Sequence, residues 1–380
     1  MKNFYFAAVL LVQAAVYAGS ALGAETEQCK EARKVVNDAG QNTRDKQELL
    51  RTYRKAVSLC PNFLEAHYNM GLVLLELGNL KDSRAAFQAA NSVKENVESY
   101  IALGNIAYLD GDKREAEQQY QKAVQLDGKS YQAYLGLGVA YEAQARLEDA
   151  KKALSRAREL NPEDWASYYN IGVIELRLGN ISQAGVMLNE ALTRNRDRPE
   201  IYRELGRVGL LSSNLTDAAA ALTKATLLDP KNADAWADLG AVRERQGQFR
   251  DAEDALNRAL AVKADLVPAL VSLGIVQVRR GDVAKGIDYL QKAAQLDPKS
   301  AEAFGALGWA YLNIEDLEKA EKALATALNL DESSAFAHNN FGVLLQLKGD
   351  DDAAAEQFKR ARQLNPELKA AAANLQKLSE

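Results

Sequence analysis

Between Ser130 and Pro162 the apolar positions recur at helical spacing twice over. Leu137, Gly138 and Tyr141 fall on one stripe of the first half, and Ala150, Leu154 and Ala157 on one stripe of the second. The pattern predicts two amphipathic helices joined by a short turn and closed by Pro162. Neither helix can bury its stripe alone. The same unit returns along the chain, so the fold question becomes one of stacking.

The period is carried by small residues. Gly71, Gly104, Gly138, Gly172, Gly206, Gly240, Gly274, Gly308 and Gly342 are separated by 33 residues once and by 34 every other time. A second ladder, from Ala90 and Ala123 through to Ala361, follows each glycine by 19 residues. This fixed offset predicts that glycine and alanine meet across each helix pair, where only a side chain of hydrogen or methyl size lets two axes approach closely. Gly78, Gly111, Gly179, Gly247, Gly281 and Gly349 stand where first helices end, with a left-handed backbone that is cheap only for glycine. Directly after them, Asn79, Asp112, Asn180, Asn214, Asp282, Asp316 and Asp350 read as N-caps of second helices, and Asn96, Ser130, Asp164, Asn232, Ser300 and Ser334 as N-caps of first helices. Asn180-Ile181-Ser182 and Asn214-Leu215-Thr216 also have the form of glycosylation acceptors, but both asparagines are already engaged as caps in this reading.

Tyr134, Leu137, Gly138, Tyr141, Ala150, Leu154, Ala157 and Pro162, together with Trp236, Leu239, Gly240, Ala252, Leu256 and Ala259, resemble the signature of the tetratricopeptide repeat. Departures from it are Gly286, where alanine is usual, and Glu95, Gly128, Arg196, Ala264 and Glu332, where proline is usual. The resemblance implies an all-α solenoid of about ten stacked helix-turn-helix repeats, forming a superhelix with a concave groove. In this reading residues 1–24 are a signal peptide and 25–368 are the array. Its repeats fall at 30–63, 64–96, 97–130, 131–164, 165–198, 199–232, 233–266, 267–300, 301–334 and 335–368, and 369–380 form a C-terminal capping helix. The divergent first repeat is recognised by Tyr53, Ala56 and Leu59, one period before Phe87, Ala90 and Val93.

The leader has Lys2, the apolar run Phe4 to Val16 and then the small-residue tract Ala18 to Ala24, the order of a secretory signal peptide; cleavage after Ala18, Gly23 or Ala24 fits the small-residue rule, with Gly23 or Ala24 favoured. An uncleaved N-terminal anchor is the alternative reading, since the stretch is long enough to span a bilayer. Cys29 and Cys60 sit at the start of the first helix and the end of the second in that first repeat. A disulfide between them suits an exported protein; two unrelated thiols are the other reading.

A net charge of -5 without a long basic run argues against nucleic acid as a partner. The chain has no glycine-rich phosphate loop, no histidine pair at metal spacing and no serine elbow, so no enzyme activity, metal or cofactor is expected. His67 and His338 occupy the same repeat position, usually aromatic, and read as substitutes for that ring.

What remains is the groove. The resemblance places its lining three before, one after, and four or five after each repeat glycine. The position just after the glycine is largely apolar, with Val173, Ile275 and Trp309 among its residues, and Tyr169 and Leu176 extend the stripe. Arg177, Arg245 and Arg279 share one repeat position, while Arg203 and Arg207 project from one face of the sixth repeat. These ten residues are the candidate partner-binding set, an apolar trough beside a basic strip. The lysine-and-asparagine carboxylate clamp of chaperone-tail binders is not reproduced: only Asn105 fits it, with Tyr68, Ile101 and Leu135 where its lysine would be. The expected function is a non-enzymatic scaffold that holds a peptide or helix of another protein, periplasmic or in the cell envelope of a bacterium, with a mature form that does not span the membrane. Binding of a glycan, or service as accessory module to a glycosyltransferase, is the alternative.

Overall fold

The structure, a computed structural model, describes residues 26–42 and 45–378. The expected signal peptide at 1–24 lies outside the described residues. Among these the chain is all-helical, in two compact units that part between Arg196 and Asp197.

In the first unit the helices are α1 (Glu27–Asn42), α2 (Lys46–Leu59), α3 (Leu64–Glu76), α4 (Leu80–Val93), α5 (Val97–Leu109), α6 (Lys113–Leu126), α7 (Tyr131–Ala143), α8 (Leu147–Leu160), α9 (Trp165–Arg177) and α10 (Ile181–Arg194). The second holds α11 (Pro199–Leu211), α12 (Leu215–Leu228), α13 (Ala233–Arg245), α14 (Phe249–Val262), α15 (Val267–Arg279), α16 (Val283–Leu296), α17 (Ala301–Leu312), α18 (Leu317–Leu330), α19 (Ala335–Leu347), α20 (Asp351–Leu364) and α21 (Lys369–Lys377). Within each unit every helix packs on its predecessor, and alternate first helices touch, α5 with α7 and α13 with α15. Each unit is therefore a solenoid of stacked helix pairs, as the 34-residue period predicts.

The repeat glycines do sit at close contacts, and the nearest neighbour is a bulky side chain rather than the expected alanine. A Cβ at Gly138 would lie 2.5 Å from Leu154 Cγ, and one at Gly240 would lie 2.5 Å from Leu256 Cγ. In all nine repeats the nearest group is the bulky residue 16 positions on, from Phe87 and Tyr120 to Leu324 and Phe358. The alanine at 19 is fully buried, yet another glycine finds it: a Cβ at Gly305 would lie 3.9 Å from Ala327 Cβ. Each pair thus closes by seating a large side chain, fully buried in most cases, on a bare glycine, and a buried leucine contributes about 1.5–3 kcal/mol. The departure at Gly286 has a local cause. A Cβ there would meet Val278 Cγ2 at 2.5 Å and the Gly274 carbonyl oxygen at 2.8 Å.

The turns follow the expected chemistry except at three positions without glycine and at Asn180. The six turn glycines have φ between +74° and +92°. Where the same position lacks glycine, Ala145, Ser213 and Glu315 adopt φ of 61°, 59° and 52° and take on the left-handed conformation nonetheless. Asp112, Asp282 and Asp316 accept hydrogen bonds from Glu115, Lys285 and Lys319 backbone N–H groups, and the first-helix caps do likewise. Asn180 corrects its reading: it occupies the cap position, but its side chain makes no cap bond and donates instead to Glu175 Oε2 at 2.8 Å. Glu175, buried in α9, is also 2.6 Å from Lys151 Nζ. Burial acts against its charge, and the hydrogen bonds from Lys151 and Asn180 outweigh it, holding the carboxyl below its usual range.

The first and last described helices are secured differently. The sulfurs of Cys29 and Cys60 are joined, with their Cα atoms 4.9 Å apart, so the start of α1 is tied to the end of α2. α21 packs on α19 and α20 through Ala371, and Asn374 donates to Asn339 Oδ1 at 3.1 Å. Lys369, Gln376 and Lys377 are exposed; Ala372, expected on the inner side, is exposed too.

Candidate partner-binding face

The candidate residues divide between the two units. In the first, Tyr169, Val173 and Leu176 on α9 are buried, and only Arg177 is exposed. In the second, the position after each repeat glycine is open: Arg207 is exposed, while Ala241, Ile275, Trp309 and Val343 are half-buried. Ile275, Trp309 and Val343 pack from outside onto the core built by α15 to α19. Their free faces form an apolar stripe across α15, α17 and α19, which stack in that order.

Four of the five arginines are already paired. Arg203 Nε donates to Asp238 Oδ2 at 2.7 Å, and Arg207 to Glu204 Oε2 at 2.7 Å. Glu204 is buried on α11, and that burial pushes its carboxyl up against the pull of Arg207 and Arg203. Arg177 pairs with Glu142, and Arg279 lies 3.0 Å from Glu244 in an ion pair without hydrogen-bond alignment. The last two pairs obey one rule, missed by reading residues one repeat at a time. A glutamate four residues after one glycine meets an arginine five residues after the next, an offset of 35. Arg245 breaks it, because Leu210 stands where its glutamate would be. It is exposed and has no ion-pair partner among the described residues. The basic strip is thus mostly a neutralised network, with Arg245 the cation left over.

Several other polar groups are engaged within the repeats. Tyr120 OH donates to Asn105 Oδ1 at 2.6 Å, which engages the one residue matching a carboxylate clamp. The histidines act as the ring they replace. His67 Nε2 donates to the Pro61 carbonyl at 2.8 Å and His338 Nε2 approaches the Glu332 carbonyl at 3.1 Å, just as Trp236 Nε1 donates to the Pro230 carbonyl at 3.0 Å. Among the described residues no group of three His, Cys, Asp or Glu is placed to hold a metal, and no helix is long and apolar enough to cross a membrane.

Tetratricopeptide-repeat profiles match residues 52–85, 107–172 and 166–198, and the profile of the cilia and flagella-associated protein 70 middle TPR-like domain matches 212–365. Curated protein sequences give no match. Among solved structures, a tetratricopeptide repeat protein from Parabacteroides merdae superposes with a TM-score of 0.57 at 17% identity, covering 66% of this chain and 99% of its own. The APC/C hetero-tetramer Cut9-Hcn1 gives 0.59 at 14% identity, covering 93% of this chain and 87% of that one. At such identities the likeness concerns the fold alone. The profile matches, the 34-residue period and the stacked helix pairs agree: the chain belongs to the tetratricopeptide-repeat family.

Proposed function

We propose that this chain is a non-enzymatic scaffold, which holds a segment of another protein on the exposed faces of its first helices. The observation that carries the reading is the half-buried stripe of Ile275, Trp309 and Val343, an apolar surface that a soluble helix face seldom keeps without a use. Arg245, with no acid of its own, lies on the same row of first helices and would favour a segment that brings a carboxylate. The other arginines are held by their glutamates and aspartates, so their part is to fix the helices rather than to grip a ligand.

The leader, together with the Cys29–Cys60 bond, supports export to an oxidising compartment, the periplasm or envelope if the source is bacterial. Crosslinking capture from the native envelope tests both halves of the reading. Wild type should enrich a defined protein, Trp309→Ala should weaken capture at every salt concentration, and Arg245→Glu should weaken it and flatten its salt dependence. Folded variants that capture as much as wild type would refute the reading.

A further inference from the structure

The first unit holds a cleft of about 350 Å³ between α2, α3 and α4, lined by Arg54, Val57, His67, Met70, Leu74 and Ala86 among others. That is near the small end of clefts that hold ligands, about 300–1,000 Å³. The face of α3 it uses, with His67, Met70 and Leu74, differs from the face carrying Tyr68, Leu72 and Leu75, so the cleft is separate from the first-helix face discussed above.

Two other junctions show what chemistry fits this space. Three residues after Gly138 stands Tyr141, whose hydroxyl lies 3.4 Å from Gln121 Nε2; three after Gly308 stands Tyr311, whose hydroxyl accepts from Gln291 Nε2 at 2.9 Å. In both cases the donor precedes the tyrosine by 20 residues. At the first junction the corresponding pair is Arg54 and Leu74. The donor is kept, the phenol is missing, and the guanidinium of Arg54 has no partner among the described residues.

A second replacement enlarges the space. His338 Nδ1 lies 2.7 Å from Gln357 Oε1, whereas the residue equivalent to Gln357 in the second repeat is Ala86. His67 is 91% buried, its Nε2 is engaged by the Pro61 carbonyl, and its Nδ1 has no partner. The cleft therefore joins an apolar wall of Val57, Met70 and Leu74 to the exposed, unpartnered guanidinium of Arg54, to the Asp82 carboxylate that already accepts from Asn79, and to an unmatched imidazole nitrogen. A phenol supplies a flat apolar body and a hydroxyl that can accept from one group and donate to the other.

We propose that this cleft takes the tyrosine side chain of a partner protein, seated as Tyr141 and Tyr311 are seated at their own junctions. The test uses the full chain with its methionine methyls labelled with carbon-13. Met70 reports from the cleft wall and Met187, in α10, from outside it. The probes are the capped tripeptide Ala-Tyr-Ala, its Ala-Phe-Ala counterpart and p-cresol.

The tyrosine peptide and p-cresol should shift the Met70 methyl saturably and leave Met187 unmoved. The phenylalanine peptide should bind about tenfold more weakly, the worth of one charge-assisted hydrogen bond. Arg54→Ala should weaken the tyrosine peptide by a similar factor, and Arg54→Gln, which copies Gln121 and Gln291, should restore most of it. Leu74→Tyr should fill the cleft from within and abolish binding of every probe. A Met70 methyl unmoved by the tyrosine peptide, equal binding of the two peptides, or indifference to Arg54→Ala would overturn the proposal. Binding of p-cresol with exclusion of the tripeptide would overturn it as a site for a protein side chain.

Discussion

Ala145, Ser213 and Glu315 carry a cost that six other turns avoid. Each occupies the position held elsewhere by a glycine with φ near +80°, and each makes the same hydrogen bonds. Ala145 N–H donates to Glu142 O and Arg146 N–H to Tyr141 O, as Gly78 N–H donates to Leu75 O and Asn79 N–H to Leu74 O. All three side chains are exposed, so replacing them removes little packing. An L-residue in this conformation costs about 1–2 kcal/mol. Glycine recovers that amount less the roughly 0.5–1 kcal/mol of extra freedom it has in the unfolded chain. Each of Ala145→Gly, Ser213→Gly and Glu315→Gly should therefore stabilise by about 0.5–1 kcal/mol, and the triple variant by the sum of the three, since distant sites add. Urea unfolding followed by helical circular dichroism reads the midpoint, with Gly247→Ala as a control expected to move it the other way. Midpoints that fall in the glycine variants, or a control that leaves stability unchanged, would refute the assignment of strain to these turns.

Gly240→Ala should cost about 1–3 kcal/mol by overpacking against Leu256, and Leu256→Ala should be less harmful in that background than alone, a coupling a double-mutant cycle measures. The ion pair at Glu175 gives a pH dependence. Its carboxyl is held below the usual 4.5, so the stability it contributes is complete above that value and is lost as pH falls through the lower folded pKa. The gap in melting temperature between wild type and Glu175→Gln should accordingly be widest near neutrality and close in acid. Protein recovered from an oxidising compartment should begin near Ala24 or Glu25 and gain two hydrogens on reduction, by intact mass. Opening the bond should destabilise the first repeat by about 3–4 kcal/mol in the chain-entropy model.

Most of the fold is legible because a repeat writes its own register. Once Gly138 and its equivalents are aligned, helix ends, caps and turns fall into place, and the three strained turns could have been located by adding 34 to Gly111, Gly179 and Gly281. The glycine's true neighbour was hidden because an offset of 19 and one of 16 are equally regular. Only the roll of one helix on the other selects the bulky residue. The candidate site was less legible for the same reason. Whether Val173 is buried while Ile275 stays half-open is a matter of packing, and both are simply apolar residues after a glycine in the sequence. Arg245 was readable in principle, since its missing acid is Leu210, but that comparison crosses repeats at an offset of 35.

In a chain whose repeats touch only their neighbours, loss of structure begins where a repeat has one neighbour instead of two. The Cys29–Cys60 bond makes the outermost described repeats unequal in this respect, because α1 cannot peel from α2 while the sulfurs are joined. The last described helix, α21, has nine residues, one of them buried. Thermal fraying should then have a direction. Amide exchange should advance from α21 into α20 and α19 while the bridged repeat stays closed, and reduction should release a second front at α1.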